Sequence, residues 1–493
     1  MTEAAANPTP SKPLGWGFWM LCTMEMWERL AYFGVRVVVP IYIAQADEPG
    51  GLHLTQADKG FIYFWWFIFQ SILPSFTGGF ADRYGYKKTI FWSIVLKIIG
   101  YVMMGTLRSY WGFFAGTMML ATGTAVFKPG IQGSLAQSLD KGNASKGWGV
   151  FYWLVNVGGL IGPPLAGYLH GWGWDWVFFG CAAIVSLNFL MLFTYEEVDS
   201  GHQGHQDPFE VMKTTLLNLG QPRLLLWLLL MSGFWLMMYQ LWDLHPNFIT
   251  DWIDSSAVAA SLPLPESWMH MTDRGMQVKQ ENLINLNAAL IVLFMVPISI
   301  LVAKMRTLVA MVWGMSVAIC GILVSGNFQS GWIFLLGVAL FSFGEMLTGP
   351  KKQEYLGLIA PPGKKALYLG YVNIPVGIGG AFGAALAGAL YGSYGEKAIL
   401  AQKYLAEHTD FLGAEKWDGD LSSLEEVLGI TRSQAFTTLV EHLGSNGTEV
   451  TQLLWVTYQP YLVWWPIAAI GLASTIGLVI YARLAKNWKD MDV

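Results

Sequence analysis

Charge is what this sequence has least of. Only 13% of its 493 residues are Asp, Glu, Lys or Arg, and the formal net charge of -5 is spread along the chain without a basic stripe or run. A nucleic-acid partner is excluded on that ground, because a phosphate backbone calls for clustered Lys and Arg. Cysteine is scarce too. Cys22, Cys181 and Cys320 all fall in apolar runs and read as buried thiols, neither a disulfide framework nor a metal site. His202 and His205 sit in a polar loop without Cys or a third ligand, and read as solvated. With no nucleophile arrangement, metal cluster or phosphate loop, an enzyme is not expected, and no cofactor is implied. The first residues, MTEAAANPTPSKP, lack the basic start and cleavage site of a signal peptide, so the first apolar span is expected to persist in the mature protein.

Apolar residues are abundant instead: 54% of the chain, with 24 Trp and 28 Phe and a mean hydropathy of +0.42. A chain of this length and composition is an integral membrane protein. A bilayer core about 30 Å thick needs roughly 20 apolar residues per helix, and about twelve such runs can be counted. They lie near residues 15–45, 59–79, 88–106, 110–137, 147–169, 174–194, 222–248, 283–304, 307–325, 331–358, 366–393 and 457–484. Short loops after the even-numbered spans keep Lys and Arg, as in Arg83, Lys87 and Lys88, whereas HGWGWDW and GNFQSG on the other side carry neither. The positive-inside rule then puts both termini in the cytoplasm. The polar connector from Tyr195 to Lys213 separates equal numbers of spans, giving an N-terminal bundle (1–195), a linker (196–221) and a C-terminal bundle (222–493). Such halves enclose a path between them. A long segment at about 394–456 contains SLEEVLGI and RSQAFTTLVEHLGSNG, helix-like stretches with glycine stops, and is expected to form a small ordered extracytoplasmic cap. Another long segment on that side covers 249–282.

Several spans nonetheless hold charge. In MEMWERLAYFGVR, Glu25 and Arg29, Glu28 and Tyr32, and Tyr32 and Arg36 are each four apart, which sets them along one side of a helix. An ionisable group at the bilayer centre costs about 2.5 to 3.5 kcal/mol on insertion scales, so this stripe must face protein or water. Other intramembrane polar groups can meet it: Lys128 before Pro129 and Gly130, Asn156, Gln240, Asp243, His245, Asn287 and Glu345. Asn156 and Asn287 taken singly suit an interhelix hydrogen bond as well as a substrate contact. Asp243 and His245 lie near the outer end of their span, where interfacial solvation also explains them. Lys97 has no assigned partner: snorkelling to the cytoplasm and joining the cavity are both open. In GGFADRYGYKK, glycines permit close helix approach beside Asp82 and Arg83, a charged latch that one conformation can hold and another release.

These motifs resemble a known family. GGFADRYGYKK is similar to the loop signature of the major facilitator superfamily, Gly-x-x-x-Asp-Arg-x-Gly followed by basic residues, with Tyr86 where a basic residue is usual. EMWER resembles the E-x-x-E-R of the proton-dependent oligopeptide transporter family, and ERLAYFGVR its continuation, E-R-F-x-Y-Y-G-x-R. FKPG, FYWLVNVGG, LNAALIVLFMVP and FGEMLTGP fall in the order of that family's fourth, fifth, eighth and tenth helices. The resemblance implies an all-α fold of about twelve membrane helices in two bundles, in the cell membrane, working as a monomer. It implies proton coupling through Glu25 and Glu28 with Arg29 and Lys128 as partners, and the proton gradient as the energy source. Tyr32 and Arg36 would face the carboxylate end of a short peptide, and Asn156, Asn287 and Glu345 its amino end. Asp82, Arg83 and Asp243 would gate, Asp243 pairing with Arg36. Phe33 stands where the family has a second Tyr, and Lys351 and Lys352 extend the tenth helix. Those departures leave room for a transporter of another small solute or a drug exporter on the same fold; the long segment at 394–456 leaves room for a receptor.

Overall fold

The computed structural model describes residues 13–74, 77, 81, 83–140, 143–197, 213, 217, 219–360, 365–413 and 417–485. Among these, nine helical segments are long and apolar enough to cross a bilayer. The chain is a multi-pass membrane protein, and the described residues of the remaining expected spans are largely helical too. The first, α1 (Trp16–Ala44), carries the four charges of MEMWERLAYFGVR. The second begins as α2 (Gln56–Phe67), capped by Thr55 and Asp58, and passes into a π-helical turn at Ile68–Ile72. Then follow α3 (Tyr86–Thr106), α4 (Tyr110–Ser138), α5 (Ala144–His170) and α6 (Trp174–Leu192).

The second half opens with α7 (Pro222–Met238), whose span breaks at Tyr239 and again at Leu244 before α8 (His245–Trp252). The break is local chemistry: Pro246 sits in the first turn of α8, where its missing N–H would be unpaired anyway, and it cannot continue the preceding helix. A two-stranded hairpin, β1 (Met269–Thr272) and β2 (Gly275–Val278), precedes α9 (Leu286–Ala303). The later membrane helices are α10 (Thr307–Gly326), α11 (Gly331–Ile359) and α12 (Ile374–Tyr394). The segment at 394–456 forms α13 (Lys397–His408), α14 (Arg432–Leu443) and α15 (Gly447–Tyr458) before the last span, α16 (Trp464–Ala485). Its two helix-like stretches end on Gly429 and Gly444 at φ 65° and 60°, left-handed positions that glycine takes without strain.

Buried apolar side chains form two clusters, one from residues 18–195 joined by Ala381 and Ala384, the other from 224–485 joined by Val37. Within the first, α1 packs along α5. A Cβ on Gly162 would lie 2.4 Å from the Leu30 carbonyl oxygen, so only glycine lets the two backbones meet at that crossing. The face bearing the 394–456 segment is the cap face below, and the opposite one the linker face.

On the cap face the two halves are tied together. Lys59 donates to Asn247 Oδ1 at 2.7 Å, Gln45 to Asp251 Oδ1 at 2.8 Å, and Gln280 to the Val37 carbonyl at 3.1 Å. At the rim, Arg432 of α14 reaches both halves: Nη1 pairs with Glu396 at 2.8 Å and Nη2 donates to the His53 carbonyl at 2.7 Å. His53 presents that carbonyl from a left-handed conformation, φ 51°. Cys320 is exposed on α10, a correction to its reading as buried, while Cys22 and Cys181 are buried.

Candidate functional site

Between the halves lies a cavity of about 180 Å³ lined by Arg29, Tyr32, Phe33 and Arg36 of α1, Asn156 of α5, Trp235, Tyr239 and Trp242 on the seventh span, and Asn287 and Glu345. Helical spacing on α1 puts its stripe on that wall. Toward the linker face, a second lobe of about 400 Å³ shares Asn156, Trp235, Ile291 and Glu345 and adds Tyr152, Trp153, Met295, Lys352 and Gln353.

The carboxylates of α1 sit deeper than the cavity wall. Glu25 and Glu28 are 5% and 1% exposed. Arg29 reaches both, Nε to Glu25 at 3.1 Å and Nη2 to Glu28 at 2.5 Å. The second cation on Glu28 is Lys97 of α3, Nζ to Oε1 at 2.5 Å, with the ammonium also 3.8 Å from the Phe127 ring centroid. Gly123 makes room for it: a Cβ there would lie 2.7 Å from Lys97 Cγ. Lys97 therefore joins the cluster, and snorkelling is ruled out by its complete burial. Lys128, which the family resemblance pairs with the carboxylates, forms no ion pair among the described residues. It is half-buried one helical step beyond Phe127. The difference is one of register, because α4 turns Gly123 and Phe127 toward Glu28's partner.

Arg36 is occupied. Its Nη2 bonds Asp243 Oδ1, and its guanidinium lies 3.9 Å from the Tyr63 ring, 4.8 Å from Phe67 and 5.0 Å from Trp66. The break in the seventh span after Tyr239 is what delivers Asp243 to it. Asp243 and His245 are 1% and 0% exposed, so the interfacial solvation considered for them does not apply. His245 stacks on Trp464 at 4.0 Å and its Nε2 pairs with Ser325 Oγ at 3.0 Å, a packing role inside the second half. Gln240 likewise bonds its own helix, donating to the Leu236 carbonyl. The π-helical turn at Ile68–Ile72 brings Gln70 to Tyr32, donating to its hydroxyl at 2.9 Å. Phe33 lines the cavity and packs edge-on against Tyr32.

On the opposite wall, Asn287 donates to Glu345 Oε2 at 2.9 Å and to Ser342 Oγ at 3.0 Å. Asn156 donates to the Tyr152 carbonyl of its own helix. Arg83 is exposed and lies over Tyr84 at 5.6 Å; Asp82 lies outside the described residues. This wall thus offers amides and a carboxylate whose second oxygen has no partner among the described residues, and the α1 wall offers the Tyr32 hydroxyl beside the Arg29 and Arg36 guanidinium groups. Such a cavity suits a small solute with separated charges.

The sequence profile of the Major Facilitator Superfamily matches residues 26–350, well over half of the chain. The chain belongs to that superfamily. Its relatives and fold are those of transporters. The superfamily member is 29% identical over 180 residues to a peptide transporter of Yersinia enterocolitica subsp. palearctica, covering 34% of each chain. It is 29% identical over 158 residues to a di-/tripeptide transporter of Lactococcus lactis subsp. cremoris, covering 31% of each. These matches span about a third of the relatives' length. Among solved structures, a bacterial homologue of the human drug peptide transporters superposes with a TM-score of 0.61 at 15% identity, over 96% of this chain and 98% of that one. A POT family transporter in complex with a thioalcohol-conjugated peptide gives 0.62 at 14% identity, over 95% and 96%. A nucleoside transporter gives 0.67 at 10%, over 94% and 99%. At such identities they show the fold of this superfamily member alone.

Sequence reasoning missed the cap-face ties of Lys59, Gln45 and Arg432, and the cavity-lining Tyr239 and Trp242. Lys59 alone carried a signal, a single cation at the start of an apolar span.

Proposed function

We propose that this superfamily member is a proton-coupled symporter that imports di- or tripeptides, or similar small zwitterionic solutes, by alternating access. The observation that carries the reading is the buried cluster of Glu25, Glu28, Arg29 and Lys97 beside a cavity whose far wall holds Glu345. Four ionisable groups clustered inside a membrane protein are expensive unless they work. A proton on Glu28 removes the charge that holds Lys97 and one of the two that hold Arg29, so proton uptake and ion-pair breakage are one event. The cap face is extracytoplasmic and both termini are cytoplasmic. In that orientation the cavity is closed to the outside by Arg36 with Asp243, and the lobe beyond Glu345 leads inward. In the outward-open state Arg36 leaves Asp243 and, with Tyr32, takes the solute's carboxylate end; Asn156, Asn287 and Glu345 take its amino end. Asp82 and Arg83 act at the cytoplasmic latch. The relatives named as peptide transporters support peptides as the solute class.

The test is uptake in proteoliposomes under an imposed proton gradient, with di- and tripeptides. Peptide-driven proton entry that is lost in Glu25→Gln and Glu28→Gln is expected. Accumulation against a gradient by both variants at the wild-type level would refute proton coupling, and silence toward peptides with response to other solutes would refute the solute class.

A further inference from the structure

With the cap face closed, the cavity has lost its obvious anion receptor. Arg36 is held by Asp243 and buried against three aromatic rings. Arg29 is held by two carboxylates. A solute carboxylate inside this state therefore needs another cation. Lys128, also without an ion pair among the described residues, does not line the cavity or its lobe, whereas Lys352 does and is that cation. It lines the lobe toward the linker face, its ammonium lies 4.1 Å from the Trp235 ring centroid, and it has no carboxylate within ion-pair distance among the described residues. Side chains on a helix point back toward its N-terminus, which for α11 is the cap side, so Lys352 reaches from its own turn toward the cavity.

Glu345 stands on the same helix, seven residues earlier, about 10 Å along the axis at 1.5 Å per residue. Its Oε2 accepts from Asn287, which orients the carboxylate, and among the described residues no cation lies within ion-pair distance of it. One helix thus presents a carboxylate and an ammonium from positions two turns apart along a single lobe, the ammonium reaching back so that the charges stand closer than their backbones. An extended peptide spans at most about 3.3 to 3.6 Å per residue, so a solute of no more than two or three residues fits within that reach. The lobe is walled by Tyr152, Trp153, Trp235 and Met295, apolar surface for side chains.

We infer that α11 is the ruler for the solute in the cap-closed state: its ammonium binds at Glu345 and its carboxylate at Lys352. The inference rests on the peptide reading above and adds the carboxylate receptor. Opening of the linker face then delivers the solute from a site that no longer includes Arg36.

The experiment is equilibrium binding of trialanine and of its C-terminal amide to the purified full-length protein in detergent. Wild type is expected to bind the acid more tightly than the amide. Lys352→Gln should weaken the acid by about tenfold to a hundredfold, the range for losing a charge-assisted contact, and leave the amide unchanged. If that variant does not fold, Lys352→Met, which keeps an apolar stem on Trp235, should give the same collapse of the acid-to-amide ratio. Lys352→Arg should retain most of the ratio. Equal weakening of acid and amide, or an unaltered acid affinity, would overturn the assignment while leaving peptide binding intact. Failure of wild type to bind either peptide would overturn the peptide reading and this inference with it.

Discussion

The pair formed by Arg36 and Asp243 can be used to move the protein between conformations. Both side chains are nearly dry, 3% and 2% exposed, and they come from opposite halves. Removing one partner of a buried ion pair costs about 3 to 5 kcal/mol, because a charge is left uncompensated. For Asp243→Asn the lower end applies, since the amide oxygen can still accept from the guanidinium and the rings of Tyr63, Trp66 and Phe67 still face it. When the halves part at the cap face, Arg36 meets water and the penalty vanishes. The variant should therefore shift the balance toward a cap-open state by about 3 kcal/mol, roughly a hundredfold. Spin labels at Thr106 in the first half and Glu266 in the second, both exposed, would report the change as a longer distance population by double electron resonance. Arg36→Gln should do the same. The double variant, which removes both charges, should shift less than the sum of the two. Unchanged distances in both single variants, or strict additivity in the double, would refute the argument.

Three further outcomes follow from buried contacts. Lys97→Met strands Glu28 with Arg29 alone and should lower the thermal midpoint of the purified protein, with a penalty of about 3 kcal/mol; adding Glu28→Gln should recover part of it, and an additive double variant would count against the pairing. Arg432→Ala removes the charge-assisted hydrogen bond from the cap segment to the His53 carbonyl, and the same pair of spin labels should show a smaller opening, about 1 kcal/mol or fivefold. Gly162→Ala drives a methyl group into the Leu30 carbonyl and should destabilise by about 1 to 3 kcal/mol, whereas Ile161→Ala, at a position 46% exposed, should have little effect on the thermal midpoint.

Some of this molecule is local in the chain and could be read there. Apolar runs of bilayer length announce the membrane helices, since a helix in lipid must satisfy its backbone within itself. The stripe from Glu25 to Arg36 follows from helical spacing, and the helices of the cap follow from their glycine stops. The pairing of charges did not follow in the same way. Lys97 meets Glu28 across 69 positions, Lys59 meets Asn247 across 188 and Arg432 meets His53 across 379. Periodicity says which side of a helix is polar and nothing about which helix it faces. Lys97 and Lys128 look alike in sequence, each a lone cation in an apolar run; the rotation of α4 against α3, set by the room at Gly123, gives Glu28 to Lys97. Arg36 is different: the family resemblance already paired it with Asp243, and the ion pair is there. What the tertiary structure adds is the means, the break in the seventh span that turns Asp243 inward from the opposite half, and the placing of Lys352 on the lobe. The sequence alone determined that these charges must be buried and satisfied, because the bilayer makes an unpaired charge costly. The tertiary structure decided by whom, because only packing brings distant helices within reach of an ion pair.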